Sequence, residues 1–402
     1  MADPGLKIAH IITRMIRGGA DENTMLSCNA FAERGHDVTL LCGNEVEPEM
    51  LARAHPRVTT IRIPSLVRPI NPIADAAALM SLRMHLQAIR PDIIHTHTSK
   101  AGILGRAAAI RMRSSAVIHG IHILPFVNVG AAQRAIYLGL ERALVRATDQ
   151  YVSVSAGMRD IAVAHGLGGA DVHHVVASGM DIGAFQRLAD RNRAPAPGND
   201  NRTFKVLYLA NYEARKQHAR LIDEIAAQAT RFADTTFLLA GQGRERDALE
   251  EMVQRRGLAQ RVKILGYVEA TSDLIASADL CVYCSEREGL PRAIVQYCAT
   301  GRPIVAFHLP GIEAVLHHGH NGYLCPQGDF IDLFARIRGL LDDEATRQRM
   351  ADNAAAVDLS EWGADRMYLR LNDIYRSALR GKRNAAGAPT LAAGGLDVRS
   401  AS

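Results

Sequence analysis

The chain has 402 residues, 48% apolar and 22% charged, with a formal net charge of +5. That length exceeds what one hydrophobic core usually supports, so two domains are expected. The charge is mild and forms no concentrated basic stripe, which argues against a nucleic-acid partner, and no window approaches the roughly 18 apolar residues of a membrane span.

Short apolar runs rich in Val and Ile open the chain: Lys7–Thr13, Val38–Gly43, Val58–Ile63, Asp92–Thr98, Ala116–Ile121, Gln150–Ser155 and Val172–Ser178. Helical patterns lie between several of them, at Ala20–Arg34, Ile73–Arg90, Ala101–Arg111, Ala131–Arg146 and Ala156–His165. Near-continuous apolar strands separated by helices predict a parallel sheet covered on both faces. The segment Arg193-Ala-Pro-Ala-Pro-Gly-Asn-Asp-Asn201 breaks the rhythm with two prolines and no apolar periodicity, and reads as a linker. The alternation then restarts, with strands at Phe204–Ala210, Thr235–Gly241, Val262–Tyr267, Leu280–Cys284 and Pro303–Phe307 and helices between them. The predicted organisation is α/β, two Rossmann-like doubly wound domains. Residues 1–186 form the N-terminal domain, 187–203 the linker and 204–360 the C-terminal domain. Residues 361–380 form a helix crossing back to the first domain, and 381–402 a disordered tail rich in Ala, Gly and Ser.

Ligands of open α/β sheets settle at the carboxyl ends of strands, where helix N-termini point N–H groups outward. Four such places carry suitable residues. Gly18 and Gly19 in the loop after the first strand allow close backbone approach to a phosphate or sugar, or simply make a tight turn; the Gly-x-Gly-x-x-Gly spacing of a dinucleotide site is absent. His122 follows the strand Ala116–Ile121 and is either a structural histidine or a partner for a sugar hydroxyl. Asn211, Arg215 and Lys216 follow the strand Phe204–Ala210, where two adjacent cations at a helix start suit a diphosphate, the alternative being a solvated basic corner. The strongest signal is Ser285-Glu-Arg-Glu288-Gly289-Leu290-Pro291, a charged turn with a proline where a helix begins. The amides around Gly289 and Leu290 would face an anion, and Glu288 beside them would accept hydrogen bonds from sugar hydroxyls.

These residues resemble the family 4 retaining glycosyltransferases, which have the GT-B architecture of two Rossmann-like domains facing across a cleft. The matching signatures in the second half are Gly241-Gln-Gly243, Val262-Lys-Ile-Leu-Gly266, Arg287-Glu-Gly-Leu-Pro-Arg292, Gly301-Arg-Pro-Ile-Val305 and Asn321-Gly-Tyr-Leu324. Those in the first half are Arg17-Gly-Gly-Ala20, Pro91-Asp-Ile-Ile-His-Thr-His-Thr-Ser-Lys-Ala-Gly102 and Ser178-Gly-Met-Asp181. The resemblance implies transfer of a hexosyl group from a nucleoside diphosphate sugar to a sugar or lipid-linked acceptor, in polysaccharide or glycolipid synthesis. Glu288, His122 and Lys216 match the catalytic positions. Gly18, Gly19, Asn211, Arg215, Gly266, Tyr267, Gly289, Leu290, Pro291 and Gln296 fall with the donor-binding ones. Two positions depart from the family pattern: Gln296 stands where a second glutamate is usual, and Asn211 where an arginine is. No cofactor and no catalytic metal are implied. A sugar-nucleotide epimerase or hydrolase of the same shape, or a degenerate nucleotide-sugar-binding protein, are the alternatives.

Other features read as structural. His95 and His97 alternate on one strand end, His317, His318 and His320 cluster near a turn, and Cys281 and Cys284 lie in an apolar strand. The two cysteines form a CxxC, the alternative being a redox pair, but in an apolar strand they read as core residues facing different ways. Metal binding is the alternative for either histidine group, though no acidic or cysteine ligand sits at a spacing that would complete a site. Arg106, Arg111 and Arg113, with Arg134, Arg142 and Arg146, read as a solvated face or as a peripheral contact with an anionic membrane. The residues Met1 to Gly5 lack the apolar core of a signal peptide and the cysteines form no disulfide framework, so a cytoplasmic setting is expected.

Overall fold

A computed structural model describes residues 5–127, 129–189 and 203–387. Seven strands build the first sheet: β1 (Lys7–Met15), β2 (Asp37–Val46), β3 (Val58–Arg62), β4 (Ile93–His97), β5 (Ala116–Ile121), β6 (Gln150–Ser153) and β7 (His173–Val175). They pair in parallel in the order β3-β2-β1-β4-β5-β6-β7. The intervening helices are α1 (Gly19–Glu33), α2 (Pro48–Leu51), α3 (Pro72–Ile89), α4 (Ser99–Ala109), α5 (Ala131–Ala143) and α6 (Ala156–Ala164). Strands β4 and β5 are buried at every residue, as a sheet covered on both faces requires.

After α7 (Ile182–Ala189) the second sheet comprises β8 (Phe204–Leu209), β9 (Thr235–Ala240), β10 (Val262–Gly266), β11 (Leu280–Tyr283), β12 (Ile304–Phe307) and β13 (Gly322–Cys325). Its order is β10-β9-β8-β11-β12-β13, again all parallel. Helices α8 (His218–Ala227), α9 (Arg246–Arg255), α10 (Thr271–Ala276), α11 (Arg292–Ala299), α12 (Phe330–Asp342) and α13 (Glu344–Ala355) cover it. The direction of winding reverses between β1 and β4 in one sheet and between β8 and β11 in the other, and those switch points are where α/β sheets bind ligands.

The last helix, α14 (Ala364–Gly387), leaves the second lobe and packs on α1 and β5 of the first. Met367, Leu371, Ile374 and Tyr375 join Phe31, Cys28 and Ile8 in one core, with the Tyr375 ring stacked 5.0 Å from Phe31. Each such buried side chain contributes about 1.5–3 kcal/mol, so this strap fastens the lobes together.

Several elements depart from the sequence expectation. Helix α14 continues to Gly387, so 381–387 are helical rather than part of a disordered tail; the rest of that tail lies outside the described residues, as does most of the linker. Met180 and Phe185 already sit in the core of the second lobe, and Met180 N–H bonds to the Trp362 carbonyl. Packing therefore changes lobes before residue 186. Arg106 is not on a solvated or membrane-facing surface. It is fully buried, with Nη2 2.6 Å from Glu141 Oε2 and Nε donating to the Gly102 carbonyl.

Candidate active site

The carboxyl ends of both sheets face a cleft of about 800 Å³. It is lined by Thr13 and Arg14 at the end of β1, His122 after β5, Ala210 after β8, Tyr267 after β10 and Tyr283 at the end of β11. Among the described residues, nine lysines and arginines against six carboxylates line it, a balance that favours an anionic ligand.

On the second lobe, the β8–α8 connection makes a 3-10 turn, Ala214–Lys216, before Gln217 at φ 58° starts α8. The turn is stapled to the β11–α11 connection: Glu286 N–H donates to the Arg215 carbonyl at 2.8 Å, and Ser285 Oγ lies 3.2 Å from the same carbonyl. Tyr208 OH donates to the Lys216 carbonyl at 2.7 Å. This anchoring places Arg215 Nη1 and Lys216 Nζ both on Glu288 Oε1, which also accepts from Ser285 Oγ at 3.1 Å. Lys216 Nζ donates further to Tyr283 OH at 2.6 Å, and Arg215 Nε lies 3.0 Å from Glu213 Oε2. Burial alone would raise the Glu288 carboxyl, but Lys216 and Arg215 outweigh it and hold the group below its usual range, ionised. Burial lowers Lys216, with Glu288 opposing. Burial also pulls on Arg215, but Glu288 and Glu213 prevail and its pKa rises.

Helix α11 begins at Arg292 behind the N-cap Pro291, with Leu290, Pro291 and Gln296 all on the cleft wall. A Cβ at Gly289 would lie 2.4 Å from the His122 carbonyl and from Val154 Cγ2, so this turn needs glycine to reach the first lobe.

The opposing wall is the glycine loop. A Cβ on Gly18 or Gly19 would meet nothing nearer than 3.6 or 3.7 Å, and neither backbone is left-handed, so protein packing does not demand glycine at either. Asn211 Nδ2 donates to the Arg17 carbonyl at 3.1 Å, tying the loop to the second lobe. The Arg17 guanidinium lies over the Tyr267 ring, 4.2 Å from its centroid. Every predicted site residue but one lines the cleft. The exception is Gly266, at φ 69°, whose N–H bonds to Tyr212 OH behind the wall.

Sequence reasoning missed two charged residues here. Asp21, in the first turn of α1, is buried with Oδ1 unpartnered and Oδ2 3.5 Å from Arg14 Nε. Burial, opposed by Arg14 and reinforced by Glu22 and Glu213, pushes its carboxyl up to about 8. Arg292 pairs with Glu22 across the lobes at 3.5 Å and keeps Nη1 buried and unpartnered. Asp21 directly follows Gly18-Gly19-Ala20, a visible signal; the burial of Arg292 had none. On the same wall, burial pushes the His122 imidazole down to about 4, so it is neutral.

Residues 203–343 match the family described as glycosyl transferases group 1, and residues 18–179 match the glycosyl transferase 4-like domain. An Escherichia coli relative, UDP-Gal:alpha-D-GlcNAc-diphosphoundecaprenol alpha-1,3-galactosyltransferase, is 24% identical over 92% of this chain and 96% of its own length. The N-acetyl-alpha-D-glucosaminyl L-malate synthase of Bacillus anthracis is 23% identical over 88% and 92%. Among solved structures, Anabaena Alr3699/HepE in complex with UDP and glucose superposes with a TM-score of 0.74 at 22% identity, covering 92% of this chain and 100% of that one.

Proposed function

Because this chain belongs to the family 4 glycosyltransferases, with the GT-B fold, we propose that it moves a hexosyl group from a nucleoside diphosphate sugar to a hydroxyl acceptor with retention of anomeric configuration. The observation that carries this reading is the Glu288 carboxylate held by two cations beside the start of α11, at the switch point of the second sheet. Lys216, Arg215 and the amides around Gly289 and Leu290 neutralise the departing diphosphate. Glu288 orients sugar hydroxyls, and neutral His122 contacts the sugar from the other lobe. The bond between anomeric carbon and phosphate oxygen breaks while the acceptor oxygen bonds to the same face, and its proton passes to the leaving phosphate oxygen. The protein then needs no separate base, and no metal at the diphosphate. Gln296 accepts from a ribose hydroxyl without the charge that a carboxylate would bring, a difference of about 1 kcal/mol.

One relative named above is a galactosyltransferase and the other a glucosaminyl malate synthase, which disfavours an epimerase or a bare binding protein. The first of them acts on a diphosphoundecaprenol-linked sugar, in keeping with a lipid-linked acceptor here. No helix among the described residues is long and apolar enough to cross a membrane. Peripheral contact would fall to α3 and the segment before it, where Ile70, Ile73, Met80 and Met84 are exposed beside Arg68 and Arg83. Replacing Ile73 and Met80 by Ser should then abolish flotation with anionic vesicles, and unchanged flotation would remove that contact.

The deciding experiment screens nucleotide sugars for thermal stabilisation, then measures acceptor-dependent release of nucleoside diphosphate and the product's anomeric configuration by NMR. An inverted product overturns the retaining mechanism; release without any acceptor overturns transfer.

A further inference from the structure

Behind the first-lobe wall of the cleft, four imidazoles meet: His10 from β1, His95 and His97 from β4, and His122 just after β5. Strand register brings them together. His10 is the β1 partner of His95, and His97 the β4 partner of Gly120. His95 and His97, two apart, share a face of the sheet, with ring centroids 4.1 Å apart. The His97 centroid lies 5.2 Å from His10 and 5.3 Å from His122.

The gap between these rings is made by a missing side chain. A Cβ at Gly120 would lie 3.0 Å from His97 Nδ1, 3.1 Å from His95 Nε2 and 3.3 Å from His122 Nε2. Gly120 has no positive φ, so its backbone does not call for glycine. Three ring nitrogens thus face the space beside the Gly120 Cα that a side chain would otherwise fill. His97 Nδ1 and His122 Nε2 are 3.1 Å apart, close to the edge of about 3.3 Å that a tetrahedron with zinc–nitrogen bonds of about 2.0–2.1 Å requires. His95 Nε2 is fully buried and has no hydrogen-bond partner.

The far nitrogens are held as those of metal-binding histidines are. His95 Nδ1 lies 2.6 Å from Tyr375 OH on α14, and His97 Nε2 lies 2.9 Å from His10 Nδ1. His10 also comes close enough to stand as a ligand in its own right with His95 and His97, their donor atoms lying within 4.8 Å of one another.

We propose that His95 Nε2, His97 Nδ1 and His122 Nε2 bind one divalent transition cation of the zinc class beside Gly120, with Tyr375 and His10 as outer partners. A donor set of imidazoles alone, without carboxylates, selects zinc, copper or nickel over magnesium or calcium. The ion ties the end of β5 to β4. Coordination through Nε2 leaves the His122 ring proton on Nδ1, fixing one tautomer at the cleft. The cation is structural, and no step of glycosyl transfer passes through it.

Chelator-treated full-length protein titrated with zinc chloride by calorimetry, and with cobalt(II) followed by visible absorption, tests this without any activity assay. One ion per chain, the intense ligand-field band of tetrahedral cobalt and a raised melting temperature are expected. The exposed cluster His317, His318 and His320 is a competing site, and H317N/H318N/H320N should leave the stoichiometry unchanged. His95→Phe should abolish binding. Because that variant removes a core hydrogen bond and could fail to fold, Tyr375→Phe is the milder probe, expected to weaken binding about 10–100-fold. Failure of the wild type to bind, a weak octahedral cobalt spectrum, or loss of the ion with the surface triple variant overturns the proposal. The four rings would then be a purely hydrogen-bonded chain.

Discussion

Replacing Glu288 by Gln separates the two duties assigned to that side chain. The amide keeps the shape and still accepts from Ser285 Oγ, 3.1 Å away. It removes the anion that neutralises two cations, buried Lys216 and half-buried Arg215. Arg215 retains Glu213 at 3.0 Å, whereas Glu288 is the only carboxylate among the described residues that pairs with Lys216. Leaving a buried charge without its partner costs about 3–5 kcal/mol, a fall of roughly 6–20 °C in melting temperature for a lobe of this size. A nucleoside diphosphate brings negative charge back to the same cations, so it should stabilise the variant more than the wild type. Turnover should fall about 100-fold, the scale for losing one preorganised polar group at a site of developing charge. The assays are a thermal-shift titration with the nucleoside diphosphate and initial rates of acceptor-dependent product release. Wild-type turnover in a folded Glu288→Gln protein, or a smaller nucleotide-induced shift than in the wild type, would refute the site.

Three further outcomes follow from buried groups and close contacts. Asp21 has its folded pKa near 8, above the usual 3.8, so its contribution to stability is full below about pH 4 and is lost as pH rises from there through 8. Asp21→Asn should remove that slope, a difference on the order of 5 kcal/mol between the two ends by chemical denaturation. Arg106→Ala strands Glu141 in the core and should cost about 3–5 kcal/mol, whereas Arg106→Met with Glu141→Leu should recover most of it. Gly289→Ala drives a methyl into the His122 carbonyl and Val154, so transfer should drop about 100-fold through misplacement of the lobes while nucleotide-induced thermal shifts persist.

What the sequence reveals and what it hides divide along a physical line. Buried parallel strands must be short and apolar, and α/β connections are bounded by turn residues, so β5 is readable to the residue and most other boundaries to within two or three. Strand β13 escapes because four residues, two of them only half-buried, carry little apolar signal. The cluster of Arg215, Lys216 and Glu288 is legible because two strand-end loops with charged residues flank a switch point, and only the contact between the loops awaits the fold. Arg106 is misread because its periodicity with Arg111 and Arg113 suggests a wet face, while its partner Glu141 is 35 residues away on another helix. Asp21 would suit the first turn of any exposed helix; only closure against a second lobe buries it and makes it an unusually weak acid. His95 and His97 announce a shared face by alternation, but nothing local aligns them with His10 or places Gly120 opposite. Local chemistry is written in neighbouring residues. Register and lobe closure are written in residues dozens to hundreds of positions apart, and there the perturbed groups of this protein arise.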